Sequence, residues 1–237
     1  MFRTEPLTGR SLSSTLEVIY RMQALNFLRP VVTYLSLLVL LAGCTSLQVG
    51  SNIQMGRTAL KTGHPEIALV HFRRAAQLDP NYVLDFTLLP QGVWTYVGRT
   101  YYTQGKLPEA RKALEQARSL HPEDNLAKLY LGLVLARDGD RQKGLREIET
   151  GLARLTEWLD DLDQNHPDGQ FWDPGRDLRN EMQKDLAMIS GKDIDWPRLI
   201  SSGEWLGKKF EEEIDRARHD KQEELFKRNG DNGSTGR

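Results

Sequence analysis

Residues 94–122 read WTYVGRTYYTQGKLPEARKALEQARSLHP, and the pattern in this stretch recurs on either side of it. Gly56, Gly98 and Gly132 lie 42 and 34 residues apart, and Gly63, Gly105 and Gly139 repeat both spacings. The unit is therefore 34 residues long, with eight extra residues in the first gap. Aligned on these glycines, further columns fall into place: Ala59, Tyr101 and Leu135; Ala68, Ala110 and Gly144; Phe72, Leu114 and Ile148; Ala75, Ala117 and Gly151. Pro80 and Pro122 close the first two units, while the third carries Thr156 at that place. A fixed period of this length marks stacked structural repeats, because one unit cannot bury its own apolar face.

With Trp94, Gly98, Tyr101, Ala110, Ala117 and Pro122 where the pattern wants them, the middle unit resembles the tetratricopeptide repeat. The resemblance covers 49–82, 91–124 and 125–158, the last in degenerate form. It implies an all-α fold: a right-handed α-solenoid of three helical hairpins followed by C-terminal capping or amphipathic helices. Gly63, Gly105 and Gly139 sit just past the first helix of each hairpin, where a left-handed residue closes the turn most cheaply. Pro65 and Pro108 open the second helices, and Pro80 and Pro122 end the units. Gly56 with Ala68, and Gly98 with Ala110, are expected to let paired backbones approach, with Phe72, Leu114 and Ile148 filling the seam behind them. About three units is the minimum for a stable stack, so the open end of the third is expected to be covered. The extra segment 83–90, VLDFTLLP, is too apolar for a surface loop. It is expected to extend a helix or fold onto the stack, the alternative being an exposed contact patch.

Residues 159–175 are rich in Asp, Gly and Pro and predict a loop. Asp161, Asp163 and Asn165 invite a calcium reading, but an EF-hand loop needs Gly sixth and Glu twelfth, and His166 and Trp172 stand there. Phe171 and Trp172 are expected to pin the loop to the repeats through their packing area. Over 176–189, Leu178, Met182, Leu186 and Ile189 recur at helical spacing, and Gly191 stops that helix. After Trp196-Pro197 a second helix is expected to run to about 228, with Leu199, Ile200, Leu206, Phe210, Ile214 and Ala217 as its apolar marks. Glu212 with Arg216, and Lys208 with Glu212, read as pairs on a solvated face. Residues 229–237 read as a flexible tail. Residues 49–158 hold 15 Lys+Arg against 12 Asp+Glu, a net of +3, whereas 159–237 hold 13 against 19, a net of −6. The contrast predicts that the acidic C-terminal helices fold back to cap or line the repeats; recruitment of separate partners by opposite fields is the alternative.

The run VVTYLSLLVLL at 31–41 is too short to span a bilayer. Its length fits a buried core helix as well as the apolar part of a secretory signal. The junction Leu41-Ala42-Gly43-Cys44 resembles the lipobox of bacterial lipoproteins, and Cys44 is the only cysteine in the chain. That resemblance implies a signal peptide over 1–43, lipidation of Cys44 and an envelope location. Thr45, where an Asp would retain the protein at the inner membrane, favours the outer membrane facing the periplasm.

By the repeat resemblance, the first helix of each unit supplies a concave wall. The groove candidates are Arg57, Lys61, Arg99, Tyr102, Leu133 and Arg137, a basic rim suited to an acidic peptide or helix, or to the chain's own acidic tail. Ile53 and Arg57 stand where chaperone-binding relatives hold a carboxylate with Lys and Asn, so that clamp is not carried over. The formal charge of −1 argues against a nucleic-acid binder acting through bulk positive charge. The five histidines are scattered, with His64 and His121 at turns; no metal or cofactor is implied, and no GxSxG, HExxH or P-loop occurs. The expected role is a membrane-anchored scaffold or adaptor holding other envelope proteins. The competing readings are a constitutive subunit of one envelope complex, its groove filled by its own C-terminal helices, and a small-ligand sensor or enzyme using the Trp172 loop. Residues 1–21 fit the signal poorly, and translation is expected to start at Met22. The uncleaved precursor should then have the mass of a chain beginning there; a precursor beginning at Met1 refutes the expectation.

Overall fold

Three left-handed glycines divide the repeat block into hairpins. Gly63, Gly105 and Gly139 adopt φ of 79°, 72° and 97°, each just beyond the first helix of its unit. In this computed structural model the described residues are 46–84, 88–191 and 193–234, the stretch 228–234 as backbone only. The first hairpin pairs α1 (46–61) with α2 (Pro65–Leu78), the second α3 (Val93–Thr103) with α4 (Leu107–Leu120), and the third α5 (Asn125–Arg137) with α6 (Arg141–Asn165). A 3-10 turn (Gly169–Phe171), α7 (Asp177–Ile189) and α8 (Trp196–Ser234) follow. Within the unit Val49–Arg237, the hairpins stack as an all-helical solenoid. Pro65 is the first residue of α2 and Pro108 the second of α4, where a missing N–H costs nothing. The third hairpin lacks that proline; the Asp140 carboxylate accepts the Lys143 N–H instead.

A glycine of the first helix opens the seam of each hairpin, and Gly144 and Gly151 add close approaches in the third. A Cβ on Gly56 would sit 2.5 Å from the Phe72 ring, one on Gly98 2.5 Å from Leu114, and one on Gly132 2.6 Å from Ile148. Phe72, Leu114 and Ile148 thus fill the seam as expected, Ala68 and Ala110 are fully buried, and in the third hairpin a Cβ on Gly144 would lie 2.8 Å from the Gly132 carbonyl, a close approach of the two backbones. The large side chain fills the space that the missing Cβ leaves, so glycine and seam residue form one interlocking pair.

Three expected boundaries move. The helix of the third unit does not end near 158 but runs 25 residues, to Asn165, because Thr156 replaces the proline that would have stopped it. The expected loop 159–175 therefore begins at His166, and Asp161 and Asn165 are helical, with Asn165 Nδ2 donating to Asp161 at 2.8 Å. α8 extends to Ser234, so the expected tail is helical over 229–234. Residues 235–237 lie outside the described residues, as do the expected signal segment 1–43 and Cys44.

The C-terminal helices cover the third hairpin. Leu199, Leu206, Phe210 and Ile214 of α8 share one core with Leu129, Leu133, Leu152 and Leu155 of α5 and α6. Gly203 and Gly207 let α8 come close to Leu133 and Tyr130 of α5. Trp172 is buried and meets Trp158 edge-on at 5.0 Å, so the loop is pinned as expected. The ends of the extra segment also fold onto the body. Leu84 and Leu89 are buried, and Trp158 Nε1 donates to the Leu88 carbonyl at 3.1 Å; Asp85, Phe86 and Thr87 lie outside the described residues. Among the described residues no helix is long and apolar enough to cross a membrane.

Gly132→Ala is expected to cost about 1–3 kcal/mol, since the added methyl meets the Ile148 and Gly144 backbone as well as a side chain. Gly139→Ala has open space around it and should cost about 1–2 kcal/mol through its left-handed backbone alone. Denaturant unfolding of both variants measures this, and an unchanged Gly132→Ala midpoint would contradict the seam.

Candidate protein-binding groove

Repeat phase brings Arg57 and Arg99 to the same position of α1 and α3, 42 residues apart, with Leu133 at that position of α5. All three face α8. On α8, Glu204, Gly207, Glu211 and Asp215 follow at steps of three, four and four, which is one face of a helix. Glu211 is held from two sides: Arg57 Nε donates to Oε2 at 2.8 Å and Arg99 Nη1 to Oε1 at 2.6 Å. Arg99 also donates to the Gly207 carbonyl at 2.9 Å and to Gln91 Oε1 at 2.9 Å. Its guanidinium lies over the Tyr130 ring, 4.9 Å from the centroid. Arg57 Nη2 reaches Asp215 Oδ1 at 3.0 Å, and Lys61 joins the same carboxylate. Nearer the start of α8, Tyr102 Oη donates to Glu204 Oε1 at 2.6 Å, and Arg137 pairs with that oxygen at 3.3 Å while lying over the Tyr102 ring.

Each of the six residues expected to line a protein-binding groove therefore meets α8. Five bond to its acids, and Leu133 packs on Gly203. Arg57, Arg99 and Glu211 are 2%, 3% and 6% exposed, so the ion cluster is inside the protein. Burial works against the charge on both guanidiniums. The Glu211 carboxylate, with the Tyr130 ring at Arg99, outweighs that effect and holds them above their ordinary value. Burial likewise pushes Glu211 up, and Arg99 and Arg57 override it, leaving the carboxyl below its usual range.

A second cluster fixes α8 further along. Asp173, in the left-handed region at φ 51°, accepts the Leu178 and Arg179 N–H groups at the start of α7 and donates its own N–H to Glu213 Oε2 at 3.0 Å. Arg179 is buried between Asp173, Asp160 and the Leu159 carbonyl. Arg216 donates to the Phe171 carbonyl at 2.6 Å and pairs with Glu213 and Asp220. The expected pairs of Glu212 with Arg216 and Lys208 with Glu212 give way to these, because Glu213 faces the body while Glu212 faces solvent. Asp124 is a further buried acid: it caps α5 through the Ala127 N–H and ties it to α3 through the Gly92 N–H and the Thr95 hydroxyl. Its position directly after Pro122-Glu123 was the available signal, an Asp just before a helix start.

Two acids should respond to pH in opposite senses. Glu211 is lowered, so its stabilisation is complete above its ordinary value of 4.5 and is lost as pH falls through the lowered one. Glu211→Gln, which leaves two guanidiniums buried against a neutral amide, should cost about 3–5 kcal/mol at pH 7 and blunt the acid limb of unfolding. Asp185, under Ser202 between α7 and α8, is pushed up to about 6 by burial, with the charge of Glu181 adding to it. Its ionisation destabilises the fold as pH rises from about 4 to 6. Asp185→Asn should therefore raise Tm at pH 7.5 and leave it unchanged at pH 3.5. Calorimetry across that range checks both signs.

The tetratricopeptide repeat family pattern matches residues 98–154, from the middle of α3 through most of α6. No curated protein matches the chain. The match supports tetratricopeptide repeats over 98–154, within the helical-hairpin solenoid; repeats of this kind generally bind protein partners.

Proposed function

We propose that the chain is a lipid-anchored scaffold of the bacterial cell envelope, facing the periplasm from the outer membrane, and a constitutive structural subunit of one assembly. It offers its outer helix faces to other proteins while its own C-terminal helix occupies the groove. The observation that carries this reading is Glu211 buried between Arg57 and Arg99. A partner taking that place would have to part Glu211 from both guanidiniums and uncover Leu206, Phe210 and Ile214, which α8 buries on the third hairpin. An adaptor that loads and unloads its groove is disfavoured on that ground. The anchor rests on Leu41-Ala42-Gly43-Cys44 closing the apolar run 31–41. Acyl chains, at ~0.8 kcal/mol per buried CH₂, would hold such a protein on the membrane for its lifetime.

Two measurements test the reading. Metabolic labelling with a fatty acid should mark the wild-type chain, and Cys44→Ala should abolish the label and release the protein to the soluble fraction. A photo-crosslinking residue placed at Leu133 in cells should react with α8 of the same chain. Reaction there with another protein overturns the filled groove, and a membrane-bound Cys44→Ala protein overturns the anchor.

A further inference from the structure

With the groove occupied, the outer side of the solenoid is where a partner can dock, and its two furrows differ at one repeat-equivalent pair of positions. On that side a furrow separates the second helices of successive hairpins, α2 from α4 over α3 and α4 from α6 over α5. Between α4 and α6 the furrow is bridged by an ion pair of Arg118 with Glu147. Shifting each residue back by one repeat, 42 residues from Arg118 and 34 from Glu147, gives the equivalent pair between α2 and α4. That pair is Ala76 and Ala113. Where one furrow is closed by two long charged side chains, the other has two methyl groups.

The result is a cleft of about 430 Å³, against the ~150 Å³ that accommodates a benzene ring. Its floor is a stripe of α3, Trp94, Val97 and Tyr101, at helical steps of three and four. In the next repeat Lys128, Leu131 and Leu135 take these places, so the aromatic floor belongs to the open furrow alone. The Trp94 indole N–H is buried and meets no acceptor among the described residues, and a buried donor without a partner carries a desolvation penalty. Arg73 on α2 and Lys112 on α4 stand exposed on opposite rims, neither in an ion pair among the described residues. Glu109 is the single acid on the lining.

We infer that this furrow is a docking cleft for a protein segment that inserts one large apolar or aromatic side chain and flanks it with carboxylates. The aromatic floor and alanine walls take the anchor side chain. The two rim cations select acidic neighbours, and the exposed part of the Trp94 ring lies beside the anchor side chain. The inference rests on the reading of the chain as a scaffold with a filled groove; it does not depend on the anchor.

The test uses the full chain in detergent with ¹⁵N-labelled tryptophan, whose indole signals include Trp94, assigned through Trp94→Phe. The probe is a nine-residue peptide with a central Phe between Asp and Glu residues. It is compared with the same peptide carrying Ala for Phe, and with one carrying Lys for every acid. The acidic Phe peptide should shift the Trp94 signal, and both control peptides should bind about tenfold or more weakly. Ala76→Arg with Ala113→Glu, which installs the bridge found in the neighbouring furrow, should retain helicity and abolish the shift. Arg73→Glu with Lys112→Glu changes only exposed side chains and should reverse the charge preference. An unmoved Trp94 signal at saturating peptide, or equal binding of the Lys-flanked peptide, overturns the proposal. So does a concentration-dependent shift without peptide that the Ala76→Arg, Ala113→Glu variant removes, since a second copy of the chain would then be the occupant. Failure here with intact fatty-acid labelling and intact crosslinks would leave the scaffold reading standing and refute this cleft alone.

Discussion

The Glu211 carboxylate has left water and is held by guanidiniums from two different repeats. Much of the architecture depends on that arrangement. It fixes where α8 lies along the concave wall, and with it the placing of Leu206, Phe210 and Ile214 over the end of the third hairpin. That end would otherwise expose the apolar face that stacking was meant to bury. The same placement carries Glu213 to the Asp173 N–H and Arg216 to the Phe171 carbonyl, which holds the loop before α7. One buried carboxylate is thus coupled to the cap, the loop and the groove together.

The ion cluster is not the source of affinity between α8 and the repeats. A buried pair gains little over well-packed apolar groups and is costly only when broken. Apolar burial and the close crossing at Gly203 and Gly207 supply the attraction. The charges supply register. Glu204 meets Tyr102 and Arg137, Glu211 meets Arg57 and Arg99, and Asp215 meets Arg57 and Lys61. A slip of α8 by one turn, ~5.4 Å, would bury acids against apolar groups and leave the guanidiniums unmatched. A long amphipathic helix lying in a groove has few other features to stop it sliding.

Filling one surface gives weight to the other. The same repeat that places Arg57 and Arg99 on the inner wall places Ala76 and Ala113 on the outer one. Repeat proteins diverge position by position on an unchanging frame. The exchange of an ion pair for two alanines between neighbouring furrows is such a divergence, made without disturbing the seams at Phe72, Leu114 and Ile148.

The hairpins were legible before any coordinates. Gly63, Gly105 and Gly139 are required by left-handed turns, Pro65 and Pro108 by helix starts, and Gly56, Gly98 and Gly132 by backbone approach; each is a local constraint that a residue type answers. The basic wall was legible too, through the period that aligns Arg57 with Arg99, and the charge contrast between the two parts pointed to its acidic complement. The reach of α6 past the expected stop and the choice of Glu211 among three consecutive glutamates were not legible. Nor was the role of Asp124 as a tie between helices. These are decided by which face of a helix meets a surface assembled from distant segments, and no local pattern contains that surface. Sequence alone determined the repeat, its turns and its charges, because they are matters of backbone geometry and composition. Only the tertiary structure decided what occupies the groove, because a buried charge finds its partner through the packing of the whole chain.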